Sequence, residues 1–196
     1  MHPTISTFGQ SQTGEFPLLL VIGREPNFEG TVVNEVRSFP LNHAPHCCFW
    51  NRSRAQLARI GGHVTSANLK NLCYERDASP LIYADSLGIC IPFRDANRDK
   101  LRAEWAHGSD RVVAHVTNVF SHAIINRVSL VLLSGLDNAR HFEGSFALIN
   151  QKCLALGIPV QPVPFFGARG PTKLLDASLT HQTKQLMESI YNEFLT

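Results

Sequence analysis

Apolar residues in this chain fall into short continuous runs that alternate with longer stretches of helical periodicity. The short runs are bounded by Gly, Pro and polar residues, which is typical of buried strands. The runs that predict strands are 17–23, Leu87–Phe93, Val128–Leu133 and Ile158–Val163. The stretches that predict helices are 50–60, a short one opened by Ser79-Pro80-Leu81, 97–106, 110–126, 136–156 and 172–195.

Strands that alternate with helices indicate a three-layer α/β fold, in which a central, mostly parallel, four-stranded sheet carries helices on both faces. Pro159 and Pro162 place the last predicted strand near a sheet edge, because proline cannot donate to a strand ladder. A chain of 196 residues is long enough for one domain with its own core. We expect a single domain over 1–196, in which the polar stretch 1–14 forms a loose N-terminal arm.

Composition favours a folded, soluble protein over a disordered or membrane-bound one. Hydrophobic residues make up 44% and charged residues 17% of the chain, and no apolar run approaches the length of a membrane span. The formal net charge of +2 is too small to indicate nucleic-acid binding by itself. No signal peptide is evident, so we expect a cytoplasmic protein with no membrane association.

The five cysteines form no recognisable disulfide or metal framework, since their number is odd and no C-x-x-C spacing occurs. Reduced thiols in a cytosolic protein are the favoured interpretation. His43 and His46 lie close to Cys47 and Cys48, but ligands packed so tightly along one loop rarely complete a tetrahedron. We therefore expect no metal and no cofactor.

The first predicted strand ends in the run Gly23-Arg24-Glu25-Pro26-Asn27, which puts a carboxylate where open α/β sheets bind ligands. Gly23 admits close approach of a backbone, and Pro26 fixes its own φ. A rigidly held carboxylate suits a general base, or an anion that faces a developing cation. An ordinary turn with a solvated Glu25 is the alternative. The irregular stretch over 27–48 that follows is long enough to suggest a functional loop.

Several segments, taken in order, resemble the strand-end and loop motifs of the uracil-DNA glycosylase superfamily, nearest its mismatch-specific branch. They are Gly23–Asn27, Ser38–Pro45, Cys48-Phe49-Trp50, Leu132–Ala139 and Val163–Gly170. The first two match closely, and the order of elements over roughly 16–195 is also similar. The resemblance implies a uracil-DNA glycosylase-like fold and a hydrolase that flips a nucleotide out of DNA and cleaves its N-glycosidic bond.

The resemblance also implies roles for individual residues in base excision. Glu25 occupies the position of the family's Asp or Asn that positions or activates water, where a carboxylate also stabilises an oxocarbenium-like transition state. Phe49 falls on the aromatic residue that stacks against the flipped base, although a core position is the alternative for it. The residues that the resemblance assigns to base binding are Gly23, Arg24, Asn27, Phe49, Phe93 and Phe165.

The segment Val163–Gly170 occupies the place of the family's DNA-facing loop, which implies DNA as the partner. Arg169 falls where a wedge residue enters the space left by the flipped base, and Arg can fill that gap and contact phosphate. Gly170 belongs to the same loop, and Lys173 at the next helix start adds a phosphate contact. Solvated surface charge is the alternative for Arg24, Arg169 and Lys173. We expect a monomer that binds duplex or single-stranded DNA.

Two departures from the family's motifs change the expected substrate. The region Ile91–Asp95 lacks the Asn with which uracil-specific members read the base, and Phe165 or Phe166 replaces the His or Asn of the last motif. These departures favour a modified pyrimidine, such as the glucosylated hydroxymethylcytosine of phage DNA, excised in antiviral defence to leave an abasic site. The alternatives are a uracil or mismatch repair glycosylase, a non-catalytic DNA- or nucleotide-binding module, and hydrolysis or transfer on a free nucleoside.

Overall fold

The computed structural model describes residues 6–7, 15–23, 55–61, 80–86, 110–135, 143–164 and 172–196. The strands are β1 (Ser6–Thr7), β2 (Leu18–Gly23), β3 (Leu81–Asp85), β4 (Val128–Ser134) and β5 (Val160–Val163). The helices are α1 (55–60), α2 (Asp110–Phe120), α3 (Glu143–Leu156), α4 (Thr172–Ser178) and α5 (His181–Leu195). A 3₁₀-helix over Ala123–Arg127 joins α2 to β4.

The strands form one sheet in the order β1-β3-β2-β4-β5. The four longer strands are parallel, and the two-residue β1 pairs antiparallel with β3 at one edge. In this register Val21 lies between Tyr83 and Leu132. The prediction of a parallel four-stranded sheet is confirmed, and so is the edge position of the proline-containing strand β5. Ser6 and Thr7, from the stretch predicted as a loose arm, contribute the added edge strand.

Both faces of the sheet are covered by helices, which confirms the three-layer arrangement. We call one the α5 face; it packs against α1, α4 and α5, and its buried members include Leu19, Val21, Leu57, Leu130, Leu132, Val163, Leu175, Met187, Ile190 and Tyr191. The α2 face packs against α2 and α3, and its buried members include Leu18, Leu20, Ile22, Ile82, Val112, Val116, Val131, Leu133, Ile149 and Cys153. Because alternate residues are buried on opposite faces, Leu18–Ile22 of β2 and Leu130–Leu133 of β4 are continuously apolar.

Arg127 ties the amino end of the sheet to the segment that enters β2. Its Nη2 and Nε atoms donate to the Phe16 carbonyl at 3.0 and 3.3 Å, and its guanidinium lies 4.8 Å from the Phe16 ring centroid. The Phe16 ring in turn packs edge-on against Phe194 of α5, with centroids 4.9 Å apart. The segment before β2, the segment before β4 and the end of α5 therefore meet at the amino end of the sheet, away from the carboxyl ends of the strands.

The strand that pairs with β2 on its β3 side begins earlier in the sequence than predicted. The helix predicted to open at Ser79-Pro80-Leu81 is wrong, because Leu81 begins β3. Leu81, Ile82 and Ala84 have no exposed surface, and their backbone pairs with β2, so tertiary pairing outweighs the local helix-start signal. The strand predicted over Leu87–Phe93 and the helix predicted over 97–106 lie outside the described residues.

The helix predicted over 110–126 ends earlier, at Phe120. His122 then opens the 3₁₀-helix, because its Nδ1 accepts a hydrogen bond from the Ile124 amide at 3.2 Å. The helix predicted over 172–195 is likewise divided, into α4 and α5. Thr180 starts α5 as an N-cap, since its hydroxyl accepts from the Thr183 amide at 3.1 Å. The helices predicted over 50–60 and 136–156 are confirmed for 55–60 and Glu143–Leu156, and their remaining parts lie outside the described residues.

Candidate functional site at the carboxyl end of the sheet

The strand order places a topological switch point between β2 and β4. These strands are neighbours, but the chain after β2 leads to α1 on the α5 face, whereas the chain after β4 leads to α3 on the α2 face. Connections that leave toward opposite faces open a crevice at the carboxyl ends of the two strands, which is where open α/β sheets bind ligands. The candidate site is this crevice.

Backbone hydrogen bonds join the four strand ends beside the crevice in two pairs, β3 with β2 and β4 with β5. The Ser86 amide, directly after β3, donates to the Gly23 carbonyl at 2.9 Å. On the other side, the Gly135 amide donates to the Val163 carbonyl at 3.0 Å. Gly135 has φ 122°, a conformation that a residue with a side chain adopts only with strain. The backbone at the base of the crevice, which we call its floor, is therefore held by hydrogen bonds, and its conformation at position 135 favours a glycine.

Ser134, the last residue of β4, brings a buried hydroxyl to this floor. Strand alternation puts it on the α5 face with Leu130 and Leu132, and it pairs with Val163 of β5. The residue is 4% exposed, and no residue that the structure describes hydrogen-bonds its Oγ atom. Most buried polar atoms in proteins have such a partner, so this hydroxyl requires an explanation.

Of the residues predicted to form the site, the structure describes Gly23 and Lys173. Gly23 ends β2 at the crevice, as the sequence pattern predicts. Lys173 is exposed in the first turn of α4, and no described contact joins it to Gly23. The other predicted site residues lie outside the described residues; they are Arg24, Glu25, Asn27, Phe49, Phe93, Phe165, Arg169 and Gly170.

In the sequence, Ser134 and Gly135 end the third predicted strand and belong to the segment Leu132–Ala139 that resembles the glycosylase motifs, but neither residue is predicted to have a role of its own. The signal that could have drawn attention to Ser134 is its position, since it is the first polar residue after the apolar run Leu130–Leu133. A polar residue at that position stands at the carboxyl edge, where ligands bind. Its lack of a partner, however, is visible only in the folded structure.

Cys153 on the α2 face is a buried cysteine that does not reach the candidate site. Burial raises the pKa of its thiol to about 12, so it stays protonated at neutral pH and packs as a small apolar residue. Across the described ranges, no three His, Cys, Asp or Glu side chains are grouped as a metal ion requires. No helix among those ranges is long and apolar enough to cross a bilayer.

Comparison with known proteins adds no further assignment to this geometry. The chain matches no family model, no curated protein and no solved structure. The resemblance to uracil-DNA glycosylases thus rests on the sequence motifs alone.

Proposed function

We propose that the protein is a DNA glycosylase that excises a modified pyrimidine and leaves an abasic site. The observation that carries the proposal is the switch-point crevice, with Gly23 at its floor and Glu25 two residues further along the chain. Two residues of extended chain span at most about 7 Å, so a carboxylate on this tether can serve the crevice. A carboxylate beside a ligand-binding crevice can serve glycosidic hydrolysis, either as a general base or by stabilising an oxocarbenium-like transition state.

In this proposal Glu25 acts as the general base. The oxygen of a water molecule forms a bond to C1′ of the sugar, while the bond from C1′ to the base nitrogen breaks and its electron pair leaves with the base. A proton of the water passes to the Glu25 carboxylate, and the departing base takes a proton from solvent. The same carboxylate stabilises positive charge that develops on the sugar ring.

The remaining predicted residues supply binding in the proposal. Phe49, Phe93 and Phe165 provide aromatic surface for a flipped base, and each stacking contact of this type is worth about 1–3 kcal/mol. Arg169 and Lys173 contribute positive charge toward the DNA backbone. We propose hypermodified cytosine of phage DNA as the substrate and antiviral defence as the role, because the expected uracil-reading side chains are missing from the sequence.

Substitution of Glu25 by Gln tests the proposed chemistry. Glu25→Gln keeps the size of the side chain and removes the carboxylate that acts as general base. We therefore expect release of the modified nucleobase to fall by about 10²–10⁴-fold. Mass spectrometry of bases released from DNAs that carry glucosylated hydroxymethylcytosine, hydroxymethylcytosine or uracil measures this directly. Glu15→Gln is the matched control, because Glu15 is exposed ahead of β2, at the opposite end of that strand.

The outcomes separate the proposal from its alternatives. Release of uracil alone would replace phage-base excision with a repair activity. DNA binding by the wild-type protein without release of any base would indicate a non-catalytic module. Cleavage of free nucleosides, with no dependence on duplex length or salt, would indicate a nucleoside hydrolase or transferase. Equal activity of Glu25→Gln and the wild type would remove Glu25 from the mechanism.

A further inference from the structure

We propose that the Ser134 hydroxyl binds the polar edge of the extruded pyrimidine; this inference rests on the proposed function. The hydroxyl lies at the carboxyl end of β4, beside the switch point, and is buried with no described hydrogen-bond partner. The next backbone amide, that of Gly135, is already used, because it donates to the Val163 carbonyl. The side chain is therefore the group at this position with hydrogen-bonding capacity to spare.

The fold by itself gives no reason for a serine at position 134. A buried hydroxyl without a partner loses its bonds to water and gains none in return, so it destabilises the protein relative to alanine. The preceding residues of β4 on both faces, Leu132 and Leu133, are fully buried and apolar. A polar side chain that the core does not need, placed where ligands bind, is explained by a ligand that supplies the missing bond.

The surroundings of Ser134 favour a nucleobase over a phosphate as that ligand. On the α5 face the cross-strand partner of Ser134 is Val163, and the next layer of the sheet holds Val21 and Leu132; all three are buried and apolar. Bringing a phosphate anion against such a layer is costly, whereas a pyrimidine has apolar ring faces and a neutral carbonyl edge. One hydroxyl at the rim of an apolar layer fits that combination.

The test compares DNA binding by Glu25→Gln with binding by the double variant Glu25→Gln, Ser134→Ala. The Gln substitution keeps the base attached during the measurement. Two duplexes of identical sequence serve as probes, one with a single glucosylated hydroxymethylcytosine and one with a tetrahydrofuran abasic analogue at that position. We expect Ser134→Ala to weaken binding of the base-bearing duplex by about three- to tenfold and to leave the abasic duplex unchanged.

Stability provides the second readout. Because the hydroxyl is unsatisfied, we expect Ser134→Ala to leave the urea midpoint of the free protein unchanged or to raise it. Ser129→Ala is the matched control, since Ser129 lies in the same strand toward its amino end. That variant should bind both duplexes as Glu25→Gln alone does.

Three results would overturn the inference about Ser134. They are equal loss of affinity for both duplexes, which indicates a backbone contact; unchanged affinity for both; and a lowered urea midpoint, which indicates a structural partner for the hydroxyl. Failure of the wild-type protein to release any base is a separate result. It would overturn the proposed function alone, because the two binding affinities are compared in the Glu25→Gln background, which lacks the proposed catalytic carboxylate and is not expected to release a nucleobase.

Discussion

Gln161 and Ser134 are polar side chains on the α5 face of neighbouring strands, and they differ in their hydrogen bonding. Gln161 of β5 uses both ends of its amide. Its Nε2 donates to the Ser178 carbonyl at 2.5 Å, and its Oε1 accepts from the Thr180 amide at 3.2 Å and from the Thr183 hydroxyl. Ser134, two rows nearer the carboxyl edge, has no such partner among the described residues.

The difference separates two uses of a polar side chain on one sheet face, since Gln161 is half-buried and Ser134 is buried. Gln161 holds the junction of α4 and α5 in place, and it satisfies backbone groups that the helix break leaves open. Its hydrogen bonds are part of the folded structure. The Ser134 hydroxyl contributes nothing comparable, and its position at the switch point fits a group kept for binding. The same sheet face thus has a structural region in which the polar side chain of Gln161 is hydrogen-bonded, which we call the saturated region, and an edge at which the Ser134 hydroxyl is not.

The largest loss of stability should come from removing the hydrogen-bonded side chain of Gln161. Gln161→Leu leaves the Ser178 carbonyl without its partner, and the hydroxyl of Thr183, which is 6% exposed, keeps only its bond to the Thr180 hydroxyl. Since each buried unsatisfied group costs about 1–3 kcal/mol, we expect the free energy of unfolding to fall by about 3 kcal/mol. Urea denaturation measures the change, and Gln185→Leu on the exposed side of α5 provides the matched control.

Gln185→Leu should change the free energy of unfolding by no more than about 0.5 kcal/mol. Gln161→Leu should also leave the ratio of affinities for base-bearing and abasic duplexes unchanged. A fall in that ratio would show that Gln161 serves binding as well as structure, and the contrast with Ser134 would be lost.

A smaller loss of stability is expected from crowding the α5-face core, on the same side of the sheet as Gln161. A Cβ atom added at Gly61, which follows α1, would lie 2.8 Å from Cδ2 of the fully buried Tyr191. Because the Tyr191 ring is held in the α5-face core, Gly61→Ala should lower the free energy of unfolding by about 2 kcal/mol.

Gly157→Ala is the control for this substitution, because it tests a glycine without neighbours. A Cβ at Gly157 meets nothing within 4 Å, but φ is +67° there, so the substitution should cost only about 1 kcal/mol of backbone strain. Urea denaturation of both variants measures the difference. Equal costs would mean that Tyr191 moves freely and that the core behind α1 is less tightly packed than the structure indicates.

The smallest effect at neutral pH concerns Cys153, a buried group that the structure uses as an apolar residue. Burial raises the pKa of its thiol from 9.0 to about 12. Above pH 9 the unfolded state loses the proton while the folded state keeps it, so stability falls as the pH rises toward 12 and is unaffected below 9. The slope is at most about 1.4 kcal/mol per pH unit.

Unfolding of the wild type and of Cys153→Ala across this pH range isolates the effect, because all other titrations cancel in the difference. The stability difference between the two proteins should be constant below pH 9 and should shift against the wild type above it. A constant difference throughout would show that the thiol is hydrated in the folded protein, and Cys153 would no longer illustrate an inert buried group.

The sequence predicted some elements well and others poorly for identifiable reasons. Leu18–Ile22 of β2 and Leu130–Leu133 of β4 are continuous apolar runs that end at Gly23 and at Ser134-Gly135, so the local pattern and the burial agree. Strand β3 was missed because Ser79-Pro80 is a local helix-start signal, whereas Leu81–Asp85 is held extended by pairing with β2. The break between α4 and α5 depends on Gln161, which lies far from Thr180 in sequence.

For the candidate site, the sequence by itself determined that a carboxylate follows the first buried strand and that the chain alternates strands with helices. Local composition and periodicity are enough for that, because burial on both faces requires continuous apolar runs. Only the tertiary structure decided which strands are neighbours, and hence that the ends of β2 and β4 form one crevice. It also decided that Ser134 is buried without a partner, since satisfaction of a hydroxyl depends on what other segments bring to it.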